Sequence, residues 1–361
     1  MTAITTDQQT GTPLEMRAPD HLLEVNGLKM YFPITQGLFS RVVGYTKAAD
    51  DVNFFIRKGE TLGLVGESGC GKTTVGRCIA RAYKPTSGEI LYRNPDEGDR
   101  NGSVVDLAEL EGKDLQPYRK DVRMIFQDPY SSLNPRMTVF QVISEALHVN
   151  RMANRAEMVD RVEYLLQRVG LRPEYIQRYP HAFSGGERQR IGIARSLVTN
   201  PKLVVCDEAV SGLDVSIRAQ ILNLLEELQD DFDLTYLFIS HDLSVIRHIC
   251  DRVVVMYVGK IVEVATGLDV YVDPKHPYTE ALMSSVPVSN PRARDKGFRI
   301  LLEGEVADPS NPPPGCYFHP RCRYAQDRCR EEAPVLKDLG NEHFAACHFA
   351  EQLSLGGARM V

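Results

Sequence analysis

The sequence lacks the features of a membrane-spanning, secreted or nucleic-acid-binding protein. Its longest apolar runs, such as Val253 to Val258, are far shorter than the roughly 20 residues that cross a bilayer. Met1 to Pro19 has no apolar core of a signal peptide, and we expect residues 1–20 to be a disordered tail. A net charge of -6 provides no bulk attraction to nucleic acid or anionic lipid. The expected compartment is therefore the cytoplasm, where the eight cysteines would be thiols or metal ligands.

The composition is that of a folded protein, with 43% apolar and 25% charged residues among 361. This length suits one large domain with an extension, or two domains. Alternating strand and helix patterns in the middle of the chain predict a mostly parallel α/β sheet. We predict strands at Leu22 to Phe32, Ala48 to Ile56, Glu89 to Arg93, Val122 to Phe126, Leu203 to Cys206 and Leu234 to Ser240, and helices at Thr74 to Tyr83, at Val139 to Gly170, after Ser184 and after Asp214.

A glycine-rich loop follows the apolar run Leu62 to Val65. Its glycines allow backbone N–H groups to turn inward as a cradle for phosphate oxygens, and a predicted helix begins directly after it. Lys72 would contact the β- and γ-phosphates, and the Thr73 hydroxyl would bind Mg²⁺. The predicted nucleotide-binding residues of the loop are Gly66, Glu67, Ser68, Gly69, Cys70, Gly71, Lys72, Thr73 and Thr74.

Two further polar patterns stand at predicted element ends. Ser184 and Glu187 have capping-box spacing at a glycine-opened helix, which is also an anion site; for the isolated pattern, capping is the commoner role. Asp207 and Glu208 end an apolar strand, where a parallel sheet binds its ligands. An isolated acid pair is more often simply solvated.

Taken in order, these motifs resemble the full set of an ABC-transporter ATPase subunit over about Leu22 to Ala265. Three segments, ending at Lys72, Pro135 and Ser216, resemble the oligopeptide/dipeptide importer branch, as do Lys275 to Thr279 and Gly315 to Cys322. The resemblance implies an α/β P-loop NTPase (RecA-like) core, an antiparallel β-subdomain, a helical subdomain at about 128–198 and a small cysteine-containing C-terminal extension at 266–361. Residues 21–265 would form the ATPase domain.

The resemblance also implies roles for single residues. Glu208 would polarise the attacking water, and Asp207 would support the Mg²⁺ held by Thr73. Gln127 would contact metal and water, and His241 the γ-phosphate; alone, they would be a polar cap and a structural histidine. The implied catalytic residues are Glu208, His241, Gln127 and Lys72, and the implied Mg²⁺ residues are Thr73, Gln127 and Asp207.

Other implied roles concern a second subunit. Ser184, Gly185, Gly186 and Glu187 form a signature that serves the nucleotide of a partner ATPase, and Asp214 lies in the connecting D-loop. Glu187 stands where glutamine is more usual, so it either slows turnover or only caps its helix. Ala209, where proline is common, is a smaller departure.

Tyr31 and Phe32, at the predicted end of the first strand, would stack on adenine or pack on the core; the sequence leaves both open. Cys316, Cys322, Cys329 and Cys347 have neither the usual zinc spacing nor a ferredoxin spacing, so free thiols, zinc and an iron–sulfur cluster all fit. The resemblance favours a [4Fe-4S] cluster, with zinc as the alternative.

The resulting hypothesis is an ATP- and Mg²⁺-dependent translocase subunit on the cytoplasmic face of a membrane. Its implied partners are a related ATPase subunit, two transmembrane permeases and, indirectly, an extracellular or periplasmic solute-binding protein, without nucleic acid. Di- and oligopeptides are the implied cargo, and an oligosaccharide or nickel is the alternative. A non-transport ABC ATPase is the other alternative, although such proteins carry two cassettes or a long coiled coil. A dead-site regulatory subunit disagrees with the intact Lys72, Glu208 and His241.

Overall fold

The computed structural model describes most of the chain, as residues 16–37, 39–94, 103–128, 132–286 and 300–358. Residues 1–15 of the predicted tail lie outside this part, as do Pro129 to Ser131 of one family motif. The described chain forms two compact units. The first is drawn from Met1–Ile56, Thr61–Glu109 and Ser240–Val361, and the second from Arg57–Glu60 and Leu110–Ile239.

The first unit contains a four-stranded antiparallel sheet in the order β2, β1, β4, β5. Its strands alternate buried and exposed residues where one face packs on the core, as in Val52, Phe54 and Ile56. This sheet is the predicted β-subdomain. The strands are β1 His21–Gln36, β2 Arg41–Arg57, β4 Ser87–Asn94 and β5 Ser103–Asp106.

A second sheet of this unit positions the glycine-rich loop. Strand β3 (Thr61–Val65) pairs in parallel with β9 (Arg252–Tyr257), and both are buried along their whole length. Such unbroken burial is typical of parallel strands covered on both faces. Antiparallel strands β10 Lys260–Thr266, β12 Phe344–Ala345 and β11 Lys337–Asp338 continue the sheet. The helices of this unit are α1 Lys72–Ile79, α8 Leu243–Ile249, α9 Gly267–Val272, α10 Pro277–Ser284 and α11 Asp327–Glu331.

The second unit has three parallel strands, ordered β6, β7, β8, and a group of helices. The strands are β6 Val122–Ile125, β7 Leu203–Asp207 and β8 Thr235–Ser240. The helices are α2 Gly112–Leu115, α3 Tyr118–Asp121, α4 Val139–Val149, α5 Arg155–Arg168, α6 Gly185–Leu197 and α7 Val215–Phe232. Two short 3₁₀ helices, Pro173–Gln177 and Pro180–Ala182, precede α6.

Several predicted boundaries were wrong. Tyr31 and Phe32 do not end their strand, which continues to Gln36. The helical pattern from Val139 to Gly170 is broken, because Asn154 caps a new helix and forms a capping box with Glu157. The first predicted helix begins earlier, at Lys72, and ends at Ile79.

The C-terminal extension has more regular structure than its proline-rich sequence predicts. Helix α9 buries residues such as Val270 and Tyr271, and helix α10 is buried along most of its length, including Tyr278. Short strands β11 and β12 join the sheet beside β10. Among the described residues, no helix combines the length and the apolarity needed to cross a membrane.

Candidate nucleotide-binding and hydrolysis site

The glycine-rich loop has backbone angles that disfavour residues with a side chain, and at two of its glycines a neighbouring carbonyl leaves no room for a Cβ atom. Gly66, Gly69 and Gly71 have φ values of 153°, 79° and 107°. A Cβ atom on Gly71 would lie 1.9 Å from the carbonyl oxygen of Ala48, and one on Gly66 would lie 2.1 Å from that of Met256. Two of these glycines are therefore required by close backbone neighbours as well as by their φ values.

Lys72 begins α1 and folds back over the loop. Its side chain is buried, and its ammonium group donates to the carbonyl oxygens of Gly66 at 2.8 Å and Glu67 at 2.9 Å. Thr73 and Thr74 follow in the first helical turn. The loop therefore gathers one cation and a helix N-terminus, which is the chemistry that binds phosphates.

Glu67 lies in the loop and has contacts on three sides. Arg321 donates two hydrogen bonds to its carboxylate, at 2.7 and 3.1 Å. The Glu67 N–H donates to the Tyr278 hydroxyl at 2.8 Å, and its carbonyl accepts from Lys72. The C-terminal extension thus contacts the phosphate loop directly.

In the second unit, the structure brings Gln127 and Glu208 together. Strands β6 and β7 run parallel with Ile125 opposite Cys206, so the residues two positions beyond this pair are neighbours. The Gln127 side-chain amide donates to a Glu208 carboxylate oxygen at 2.7 Å. Asp207, the last residue of β7, is only 1% exposed. A glutamine and two acids therefore lie at the carboxyl ends of two neighbouring parallel strands.

Glu208 has a strained backbone, with a φ of 49° in a residue other than glycine. Its N–H donates to the carbonyl oxygen of Ile239, and its own carbonyl accepts from both the N–H and the hydroxyl of Ser211. Non-glycine residues held in this region cost about 1–3 kcal/mol and cluster at functional sites. The surrounding hydrogen bonds therefore fix the position of one carboxylate.

Ser184 caps α6 through the predicted capping box. Its hydroxyl oxygen accepts from the Glu187 N–H at 3.3 Å, and the Glu187 carboxylate accepts from the Ser184 N–H at 2.9 Å. The hydrogen bond from the Ser184 N–H, with that from its hydroxyl, lowers the pKa of Glu187. Gly186 has a packing role too, because a Cβ atom there would lie 2.7 Å from a methyl carbon of Ile217 in α7.

The other predicted site residues are placed as follows. Asp214 directly precedes α7 and is exposed, and His241 is exposed just after β8. Phe32 meets the Tyr83 ring edge-on with centroids 5.7 Å apart. Tyr31 donates its hydroxyl to Asp50 at 2.5 Å, while the Lys47 ammonium lies 5.8 Å from the centre of its ring.

The four cysteines of the extension line one small cavity, together with His276, His319 and His348. All eight cysteines of the chain are free thiols. Burial raises the pKa of Cys316 to about 11 and that of Cys322 to about 12. Within the described ranges, no group of three or more His, Cys, Asp or Glu side chains is arranged to hold a metal ion.

Sequence reasoning missed Arg321 and Tyr278. Both lie in segments that resemble the family, yet their spacing gives no sign that they contact Glu67, more than 200 positions earlier in the chain. Only the fold reveals such a contact. Sequence reasoning also missed Ile217 as the reason for Gly186.

Two family models match this chain. The ABC transporter model covers residues 49–211, which include the phosphate loop, Ser184 and Glu208. The model of the oligopeptide/dipeptide transporter C-terminal region covers residues 262–329, which include three of the four clustered cysteines. Both parts of the predicted resemblance are therefore matched.

Similar curated proteins extend over almost the whole chain. The oligopeptide transport ATP-binding protein AppF of Bacillus subtilis (strain 168) is 54% identical over 327 residues, covering 91% of this chain and 97% of the relative. The probable peptide ABC transporter ATP-binding protein y4tS of Sinorhizobium fredii is 48% identical over 330 residues, covering 91% of this chain and 90% of the relative.

Solved structures confirm the fold. The cbiO1 protein of Clostridium perfringens, part of the ABC transporter complex cbiONQ, superposes with a TM-score of 0.57 at 28% identity, covering 70% of this chain and 91% of that one. A dimeric ATP-binding cassette bound to ADP and Pi superposes with a TM-score of 0.57 at 24% identity, covering 68% of this chain and 98% of that one. At this identity the likeness shows the fold alone. The chain thus belongs to the ATP-binding proteins of the ABC-transporter family, in its oligopeptide/dipeptide branch.

Proposed function

We propose that this protein is the ATP-hydrolysing subunit of an ABC importer that takes up di- and oligopeptides. The peptide cargo is supported by the relatives, which are named as oligopeptide and peptide transport proteins. The observation that carries the hydrolytic role is the 2.7 Å contact between Gln127 and Glu208, because it restrains a carboxylate that would accept a proton from water.

The phosphate loop would bind the β- and γ-phosphates of ATP through its backbone amides and Lys72. Thr73, Gln127 and Asp207 would each offer an oxygen atom to Mg²⁺, and the ion would neutralise charge on the phosphates. Glu208 would take the proton of the attacking water while Gln127 holds its carboxylate. His241 would contact the γ-phosphate, and Tyr31 and Phe32 would lie beside the adenine.

The capped start of α6 would serve the nucleotide of a second ATPase subunit. Its amides and the Ser184 hydroxyl would contact a γ-phosphate bound by the partner, while Asp214 connects the two sites. ATP would favour the closed pair and hydrolysis the open one, which drives two permeases through a population shift. We propose that the partner ATPase is a related chain, and that the complex lies on the cytoplasmic face of a membrane.

The cysteine site of the extension would hold a [4Fe-4S] cluster. Four thiols that line one small cavity are a donor set that suits a thiophilic group, with zinc as the alternative, and they would have to draw closer together to hold it. Because burial raises the pKa of Cys316 and Cys322, a bound cation is needed to keep these two thiols as thiolates. The cluster's role would be structural, since it would tie Cys316, Cys322, Cys329 and Cys347 together.

Peptide uptake by the reconstituted transporter tests the cargo. The complex in proteoliposomes, with ATP and the solute-binding protein, is given a labelled tetrapeptide, a labelled oligosaccharide or nickel. We expect ATP-dependent uptake of the peptide only, and loss of uptake with Glu208→Gln but not with Glu227→Gln, an exposed acid on α7. Uptake of the sugar or of nickel instead would refute the cargo.

A further inference from the structure

The extension holds the phosphate loop through one arginine. Arg321 donates to both carboxylate oxygens of Glu67 in a bidentate pair, with the arginine side chain 7% and the glutamate 27% exposed. Such pairs fix direction as well as distance, because two parallel hydrogen bonds allow one relative orientation. Glu67 is therefore held in one place.

Arg321 is itself well positioned. Its guanidinium lies 6.0 Å from the centre of the Tyr257 ring, and Tyr257 packs against Tyr278 and Phe318 with centroids 4.7 and 5.2 Å apart. All three rings are nearly fully buried. The arginine therefore reaches the loop from a rigid aromatic support, and its contact with Glu67 raises its pKa.

The charge of Glu67 gives the pair a function. A carboxylate in a loop that binds phosphates repels the ligand unless a cation neutralises it. Lys72 contacts the backbone carbonyl of Glu67, whereas Arg321 contacts its carboxylate. Arg321 therefore neutralises the negative charge of the Glu67 carboxylate, so that the charge of Lys72 is available to bind the phosphates of the nucleotide.

We propose that Arg321 is a positioning residue for ATP binding, which neutralises Glu67 and orders the phosphate loop from the C-terminal extension. This inference rests on the proposed ATP-binding function. Arg321 directly precedes Cys322, one of the clustered cysteines, so the loop and the cysteine site are joined through neighbouring residues.

A double-mutant cycle on the full chain tests this role. We expect Arg321→Gln to raise the Kd for Mg²⁺-ATP about tenfold in titration calorimetry, within the range of site-to-site coupling. Adding Glu67→Gln removes the uncompensated charge and restores the Kd to within about threefold of wild type. Arg321→Lys keeps the charge but not the bidentate geometry, and we expect its Kd to lie between those of Arg321→Gln and the double variant.

The matched control is Arg323→Gln, which removes the same charge at the same sequence distance from Cys322 but from a pair with Glu280. We expect it to leave the Kd unchanged. Iron and zinc content, measured on every variant, reports whether the cysteine site stays loaded. An unchanged Kd for Arg321→Gln, or no recovery in the double variant, would overturn the inference. Failure of the wild-type chain to bind ATP would instead refute the proposed function.

Discussion

The phosphate loop and the signature helix α6 are both built to meet anions, but they are held in different ways. Contacts from distant chain segments fix the loop, namely Ala48, Met256, Tyr278 and Arg321. The start of α6 is capped locally, by the hydrogen bonds between Ser184 and Glu187, which are three residues apart. The loop therefore depends on the fold of its whole unit, whereas the helix start depends mainly on its own four residues.

Gly71→Ala would break the loop most severely. The new Cβ atom would fall 1.9 Å from the Ala48 carbonyl oxygen, and the φ of 107° disfavours any side chain. We expect the free energy of unfolding to fall by about 3 kcal/mol or more, because backbone must move. Chemical denaturation of the full chain measures it.

Gly69→Ala is the control for that prediction. Its φ of 79° is also positive, but a Cβ atom there would meet no atom within 4 Å. We expect a loss of only about 1–2 kcal/mol from the backbone angle. Equal losses in the two variants would show that the distant contacts do not decide the loop's conformation.

Gly186→Ala sharpens the comparison on the side of the helix. A Cβ atom would lie 2.7 Å from a methyl carbon of Ile217, a side chain that is able to shift, so we expect a loss of about 1–2 kcal/mol. In the same helix, Gly192 has open space around its Cβ position, and Gly192→Ala should stabilise by about 0.5–1 kcal/mol.

Denaturation of both helix variants checks these signs. Adding Ile217→Ala to Gly186→Ala should recover part of the loss, since it removes the Cγ2 methyl carbon that the new Cβ atom would meet. A Gly186→Ala variant more stable than wild type would show that the packing of α6 against α7 does not require glycine at position 186.

The difference between the two regions also explains what the sequence could predict. The capping box of Ser184 and Glu187 was predicted from spacing and is confirmed, because it depends only on nearby residues. The same kind of signal, Asn154 with Glu157, was present but overlooked, and the long predicted helix was wrong there. The first strands of the β-subdomain and the parallel strands also followed from local patterns, whereas the antiparallel arrangement was implied by the family resemblance.

Distant contacts could not be predicted in this way. The role of Arg321 depends on how β9, α10 and the segment with the clustered cysteines pack together. The pattern of apolar residues in the sequence does not predict that packing. The structured part of the extension was missed for the same reason, since the short strand β12 exists only through pairing with β10, and β11 only through pairing with β12. The contact of Gln127 with Glu208 lies between these cases, because it follows once the strand register is known.

The nucleotide retained by the Glu208→Gln transporter tests the central claim, hydrolysis by this chain, most directly. The assembled complex is incubated with Mg²⁺-ATP, separated from free nucleotide and analysed for bound ATP and ADP. Because the glutamine cannot accept a proton from water, we expect turnover at least about 100-fold slower and ATP retained in the protein. Turnover at the wild-type rate, with ADP as the bound nucleotide, would contradict the account.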